Sequence, residues 1–192
     1  MNKLIIFYRN HFTQKEYEKL NLDTFLKKNI NVEVWVMSKL LKDKVIFPNM
    51  KSKKKFKIKN IKNIKNLENK IKSQKRKNIF YQIDLKFELK SFKIFQLITK
   101  YNCAYLISPG LTVHNEKNLN QKFSSLFSRL SNLDIIYLNK IIFNKIINIF
   151  NTIIFKFKMN FLYVKKADFF YCRAKKYYEH NKNHFLISKK TK

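Results

Sequence analysis

The sequence predicts an α/β fold: an open, mostly parallel Rossmann-like sheet with flanking helices, in a single domain over residues 1-192. Three observations lead there. Leu4-Ile5-Ile6-Phe7-Tyr8 is a short continuous apolar run, the pattern of a strand buried on both faces. A capping-box sequence, Thr13-Gln14-Lys15-Glu16, opens a helix immediately after it, and Val32 to Met37 supplies a second strand. The same strand, helix, strand order then returns between Ile79 and Ile107. Strands joined through helices of this length make right-handed parallel crossovers.

Taken in order, the first helix carries Tyr17, Leu20, Phe25 and Leu26 at roughly helical spacing, with Glu16, Glu18, Lys19, Lys27 and Lys28 mostly on the other side. Ser38 is placed to cap a turn through Lys39, Leu40 and Leu41; Val45 to Phe47 reads as a short strand, and Pro48 stops any regular element. Phe56-Lys57-Ile58-Lys59 alternates like an exposed strand, and Ile61, Ile64, Leu67 and Ile71 draw a narrow apolar stripe on a helix. Ile79 to Ile83 is a strand with Asp84 at its carboxyl end, Leu89 to Lys100 an amphipathic helix, and Cys103 to Ile107 a further buried strand. Ser108-Pro109-Gly110 turns the chain sharply, since it holds the one glycine of the sequence. Leu119 to Leu130 reads as helical, Ala167 to Cys172 as a last strand, Arg173 to Glu179 as a short helix and His184 to Ser188 as one more strand.

Residues 134-164 form a long apolar segment in which Lys140, Asn144, Asn148, Asn151, Thr152 and Lys156 recur three or four apart, a single polar stripe along a helix. Its longest charge-free piece, Ile146 to Phe155, is far short of the about 20 residues that a bilayer crossing needs. Two fates fit: a helix lying in a membrane interface, or one buried against the sheet or a partner.

A net charge of +30, from 42 Lys and Arg against 12 Asp and Glu, attracts polyanions: nucleic acid, anionic lipid, or phosphate-bearing ligands. The abundance of Lys, Asn, Ile and Phe equally reflects AT-rich codons. Four of the basic residues are Arg, the residue suited to bidentate phosphate and base contacts, so the surplus has the character of a solvated surface. A nucleic-acid-binding module or a noncatalytic interaction domain remain the alternatives that charge alone suggests. Cys103 and Cys172 lie outside any CxxC pair and read as buried free thiols. The N-terminus has no signal-peptide pattern, which points to a cytoplasmic location, with a peripheral place at the inner face of the cytoplasmic membrane open.

In open α/β sheets ligands sit beyond the carboxyl ends of the strands. Three loops qualify: Arg9 to Phe12, Asp84 to Glu88 and Ser108 to Glu116. The ligand-binding candidates are accordingly Tyr8, Arg9, His11, Asp84, Ser108, Gly110 and His114, of which Asp84 and His114 suit acid or base work if the fold brings them together. One glycine excludes a P-loop and a dinucleotide fingerprint, and the four His residues lack a third ligand at metal-binding spacing, so no metal is expected.

Ile5 to Tyr8 leading to Lys15 to Lys19, and then Asn31 to Leu41, resemble the opening of bacterial proteins of surface-polysaccharide clusters, which are similar to the N-terminal half of GT-B type glycosyltransferases. Ile79 to Leu97 and Lys165 to Phe170 add further matches. The resemblance implies an acceptor-side domain in cell-surface polysaccharide biosynthesis, suited to a lipid-linked, phosphate-bearing acceptor or an anionic membrane surface. Catalysis would then be completed by a C-terminal half or a separate subunit. It also implies that this chain binds no cofactor itself. A sugar-nucleotide donor is expected only with that second domain, whose Gly-rich loop has no counterpart here.

Overall fold

Leu4, Ile5, Ile6 and Phe7 are all buried, so the strand they form can sit only in the middle of a sheet covered on both faces. The computed structural model describes residues 2–43, 48–52, 55–74, 78–107, 143–144, 146–147, 150–151, 153–155, 157–158 and 161–170. It places β1 (Lys3–Tyr8) between β2 (Asn31–Val36) and β4 (Ile79–Asp84). β3 (Phe56–Asn60), β5 (Tyr105–Ile107) and the two-residue β6 (Phe169–Phe170) complete the order β3-β2-β1-β4-β5-β6, and every pairing is parallel. This is the Rossmann-like order, whose direction of winding reverses between β1 and β4.

Even-numbered residues of the central strands face one layer of helix. Leu4, Ile6, Val32, Val34 and Val36 pack with Tyr17 of α1 (Gln14–Lys19) and Leu22 of α2 (Leu22–Lys27). Odd-numbered residues face the other layer, formed by α3 (Ile64–Gln74) and α4 (Phe92–Lys100). There Lys3 Nζ donates to Gln74 Oε1 at 3.1 Å and the Phe95 ring meets Tyr105 at 6.4 Å. Phe7, Trp35 and Tyr81 pack together across three neighbouring strands on this face, with the Phe7 and Trp35 rings nearly parallel at 5.5 Å and Tyr81 edge-on to both.

The capping box predicted at Thr13 is formed: the Thr13 N–H donates to Glu16 Oε2 at 3.1 Å, and the Thr13 hydroxyl donates to the same carboxylate. The single helix expected to follow is instead two. The chain breaks at Asn21, whose φ of 49° is left-handed, and restarts at Leu22. Leu20 and Phe25 are five residues apart, out of phase for one helical face, and the break re-phases them so that both reach the core beside buried Leu22. Asn is among the few residues that take this conformation at small cost. Asn21→Val is therefore expected to destabilise the protein by about 1–2 kcal/mol and Asn21→Gly to leave it nearly unchanged, read as midpoints of urea unfolding.

Beyond β2, Met37 to Lys42 makes the single helical turn expected there, closed by the Asp43 N–H donating to the Ser38 carbonyl at 2.9 Å. β3 is an edge strand, and its exposed Lys57 discourages pairing with another chain. Cys103 is a buried free thiol, pushed up to about 11 by burial. At the far edge, Tyr105 holds the returning chain: its N–H donates to Asp168 Oδ2 at 2.9 Å and its hydroxyl donates to the Lys165 carbonyl.

The chain divides into two compact units, Met1–Gly110 with Tyr163–Lys192, and Leu111–Leu162. The sheet and α1 to α4 belong to the first. In the second, the described residues between 143 and 161 are helical, within the segment 134-164 expected to be a helix, whereas Val164 lies beyond the helical residues. No helix among the described residues is long and apolar enough to cross a membrane. The strands expected at Val45 to Phe47 and His184 to Ser188, the helices expected at Leu119 to Leu130 and Arg173 to Glu179, and Cys172 lie outside the described residues.

Candidate functional site at the strand switch point

Where strand order reverses, the loops after β1 and β4 leave on opposite sides and open a crevice at the carboxyl edge. Tyr8 ends β1 and Asp84 ends β4, and the two are register partners. Arg9 follows on the β1 loop and spans this crevice. Its Nε donates to Asp43 Oδ2 at 2.8 Å, its Nη2 to Asp43 Oδ1 at 3.3 Å, and its Nη1 to Glu88 Oε1 at 2.9 Å. One guanidinium thus ties together the segments that follow β1, β2 and β4, in the forked geometry that Arg presents to carboxylates. The hydrogen bond it donates to Asp43 raises its pKa further, outweighing the burial that opposes the charge.

The β1 loop is held from the other side as well. The Phe12 N–H donates to Asn49 Oδ1 at 2.7 Å, the Met50 N–H donates to the Phe12 carbonyl at 2.8 Å, and the Tyr8 ring meets Phe12 edge-on at 5.2 Å. Tyr8 is half-buried. Burial first, and then the charges of Glu16 and Asp84, push its hydroxyl well above the ordinary tyrosine range, so it remains a neutral donor. Burial opposes ionisation of Glu16, but its hydrogen bonds with Thr13 and the neighbouring His11 hold the carboxyl below the usual value.

The fold therefore brings Tyr8, Arg9 and Asp84 to one edge, with His11 on the same loop beside Glu16. Ser108, Gly110 and His114 lie outside the described residues. Sequence reasoning missed Asp43 altogether and named Glu88 only as the limit of a loop. A signal existed, because the chain has only 12 acidic residues and three of them, Asp43, Asp84 and Glu88, fall just at or beyond strand carboxyl ends.

Comparison of the chain with known protein families, with curated proteins and with solved structures finds no match. The chemistry of the crevice must be read from its own residues. Arg9 pairs with Asp43 and Glu88, the Lys90 ammonium lies 4.0 Å from Asp43 Oδ1, and Asp84 adds a third carboxylate at the same edge. Carboxylate oxygens gathered at such an edge can accept hydrogen bonds from hydroxyl groups. Among the described residues, no group of three His, Cys, Asp or Glu side chains is placed to hold a metal ion.

Proposed function

We propose that the chain is the acceptor-side domain of a glycosyltransferase-like system for cell-surface polysaccharide, working at the cytoplasmic face of a membrane. The observation that carries this reading is the gathering of Tyr8, Arg9, Asp84, Asp43 and Glu88 at the β1/β4 switch point. Carboxylates and a neutral tyrosine hydroxyl suit a ligand that is rich in hydroxyls, and the Rossmann-like order puts them where such folds bind. In this reading Arg9 fixes the crevice walls, Tyr8 donates to the acceptor, and Asp84 accepts the proton of the acceptor hydroxyl as its oxygen bonds to the anomeric carbon and the nucleoside diphosphate departs. The donor is held by a second domain or subunit, since one glycine cannot build a Gly-rich phosphate loop.

The test is saturation-transfer NMR of the full chain with a panel of neutral bacterial surface oligosaccharides. At least one member should bind, and Asp84→Ala should weaken it by about tenfold, the loss expected for one hydrogen bond to a charged group. A panel with no binder, or a binder indifferent to Asp84→Ala, would overturn the reading.

A further inference from the structure

Between positions 143 and 161 the helical residues turn an apolar face outward. Phe143, Ile146, Phe150, Ile153, Phe157 and Phe161 follow one another at steps of three or four, which puts them on one side of a helix. They are exposed rather than packed: Phe143 is 64% accessible, Phe150 65%, Phe157 63% and Phe161 70%. Phe157 and Phe161 touch each other at 4.5 Å between ring centroids, so the stripe is continuous at that end. Asn144 and Asn151, away from the stripe, are exposed too. An aromatic stripe of this length in water carries a standing hydrophobic cost that a covering surface removes.

We propose that this face docks on an anionic bilayer, lying in the plane of the headgroups with its Phe side chains in the upper acyl region. Charge selects this occupant over a second copy of the chain. From 135 to 162 the sequence holds four lysines, at 140, 145, 156 and 158, and no Asp or Glu. Two such helices laid seam to seam would set lysine against lysine at the flanks, where stable coiled coils place opposite charges. A bilayer bearing phosphatidylglycerol supplies the missing negative charge, and Phe is suited to the interface. The stripe does not rest on the acceptor reading, because it belongs to the unit Leu111–Leu162 and uses none of the crevice residues.

Co-sedimentation of the full chain with large vesicles tests this. Vesicles of phosphatidylglycerol and phosphatidylcholine are expected to bind it at least about tenfold more tightly than phosphatidylcholine alone, with the difference shrinking as salt rises. Phe150→Asn and Phe157→Asn should each cut partitioning about tenfold. Phe150→Leu and Phe157→Leu should retain most of it. All four replace exposed side chains, and unchanged far-UV circular dichroism will show that the fold persists. Binding that Phe150→Asn and Phe157→Asn both leave intact would mean that lysine charge alone holds the vesicle, and would overturn the proposal. So would a stripe-dependent dimer in sedimentation equilibrium with no lipid bound. Glycan binding lost by Asp84→Ala while vesicle binding stays, or the converse, separates this proposal from the acceptor reading.

Discussion

Trp35→Ala is expected to cost about 4 kcal/mol of stability, the range for removing a large aromatic side chain from a packed core. Trp35 has no accessible surface, and its ring stacks on Phe7 at 5.5 Å and meets Tyr81 edge-on at 6.4 Å. Since β2, β1 and β4 each contribute one ring, deleting the indole leaves a void that three strands line and that none can fill alone. The indole Nε1–H also donates to Glu33 Oε2 at 2.8 Å. Trp35→Phe keeps most of the packing and loses that bond, so its cost should be about 1–2 kcal/mol. Urea unfolding followed by circular dichroism measures both. Small domains hold only about 5–15 kcal/mol in total, so the Ala variant should unfold at a much lower urea concentration. A midpoint that the Ala variant leaves in place would contradict a buried three-ring cluster.

The second large effect is acid lability centred on Glu33. This carboxylate is 7% exposed and receives Lys3 Nζ at 2.6 Å, Lys59 Nζ at 2.9 Å and the Trp35 indole. Burial alone would raise its pKa. The hydrogen bonds from Lys3, Trp35 and Lys59 outweigh burial and pull it from an ordinary 4.5 down to about 2. With the folded value depressed, the unfolded chain binds the proton more readily. The stabilisation, about 3 kcal/mol, is therefore complete above pH 4.5 and is lost as pH falls toward 2. Glu33→Gln should cost about 3 kcal/mol at pH 7, because two ammonium groups lose their counter-charge, and much less at pH 2. The check is the difference in unfolding free energy between wild type and variant at pH 7 and at pH 2.5. A difference that stays constant would show that Glu33 titrates normally.

These two residues also mark where sequence reasoning stops. The apolar runs at Leu4 to Phe7, Val32 to Met37, Ile79 to Ile83 and Cys103 to Ile107 locate four strands, because a strand buried on both faces leaves a local, contiguous trace. The Thr13 capping box is equally local. Glu33 sits within one of those runs, and its counter-charges come from Lys3 on β1 and Lys59 on β3, which become its diagonal neighbours only once the strand register is set. The break at Asn21 is masked by a nearly helical spacing on either side of it. In the crevice, Tyr8, Arg9, His11 and Asp84 could be named from the rule about strand ends. Asp43 could not, since 34 residues separate it from the arginine it binds.

The far edge of the sheet bears on how the chain reaches this structure. Tyr105 is bonded to Asp168, 63 positions further along, whereas β1 to β5 pair without any residue beyond Ile107. Closing so long a loop costs entropy that shorter closures avoid, and distant pairings of this kind slow folding. During synthesis the first five strands emerge and can assemble before Asp168 has been made. Until β6 arrives, the unpaired backbone of β5 is a sticky template, open for that interval to strands of other nascent chains or to a chaperone.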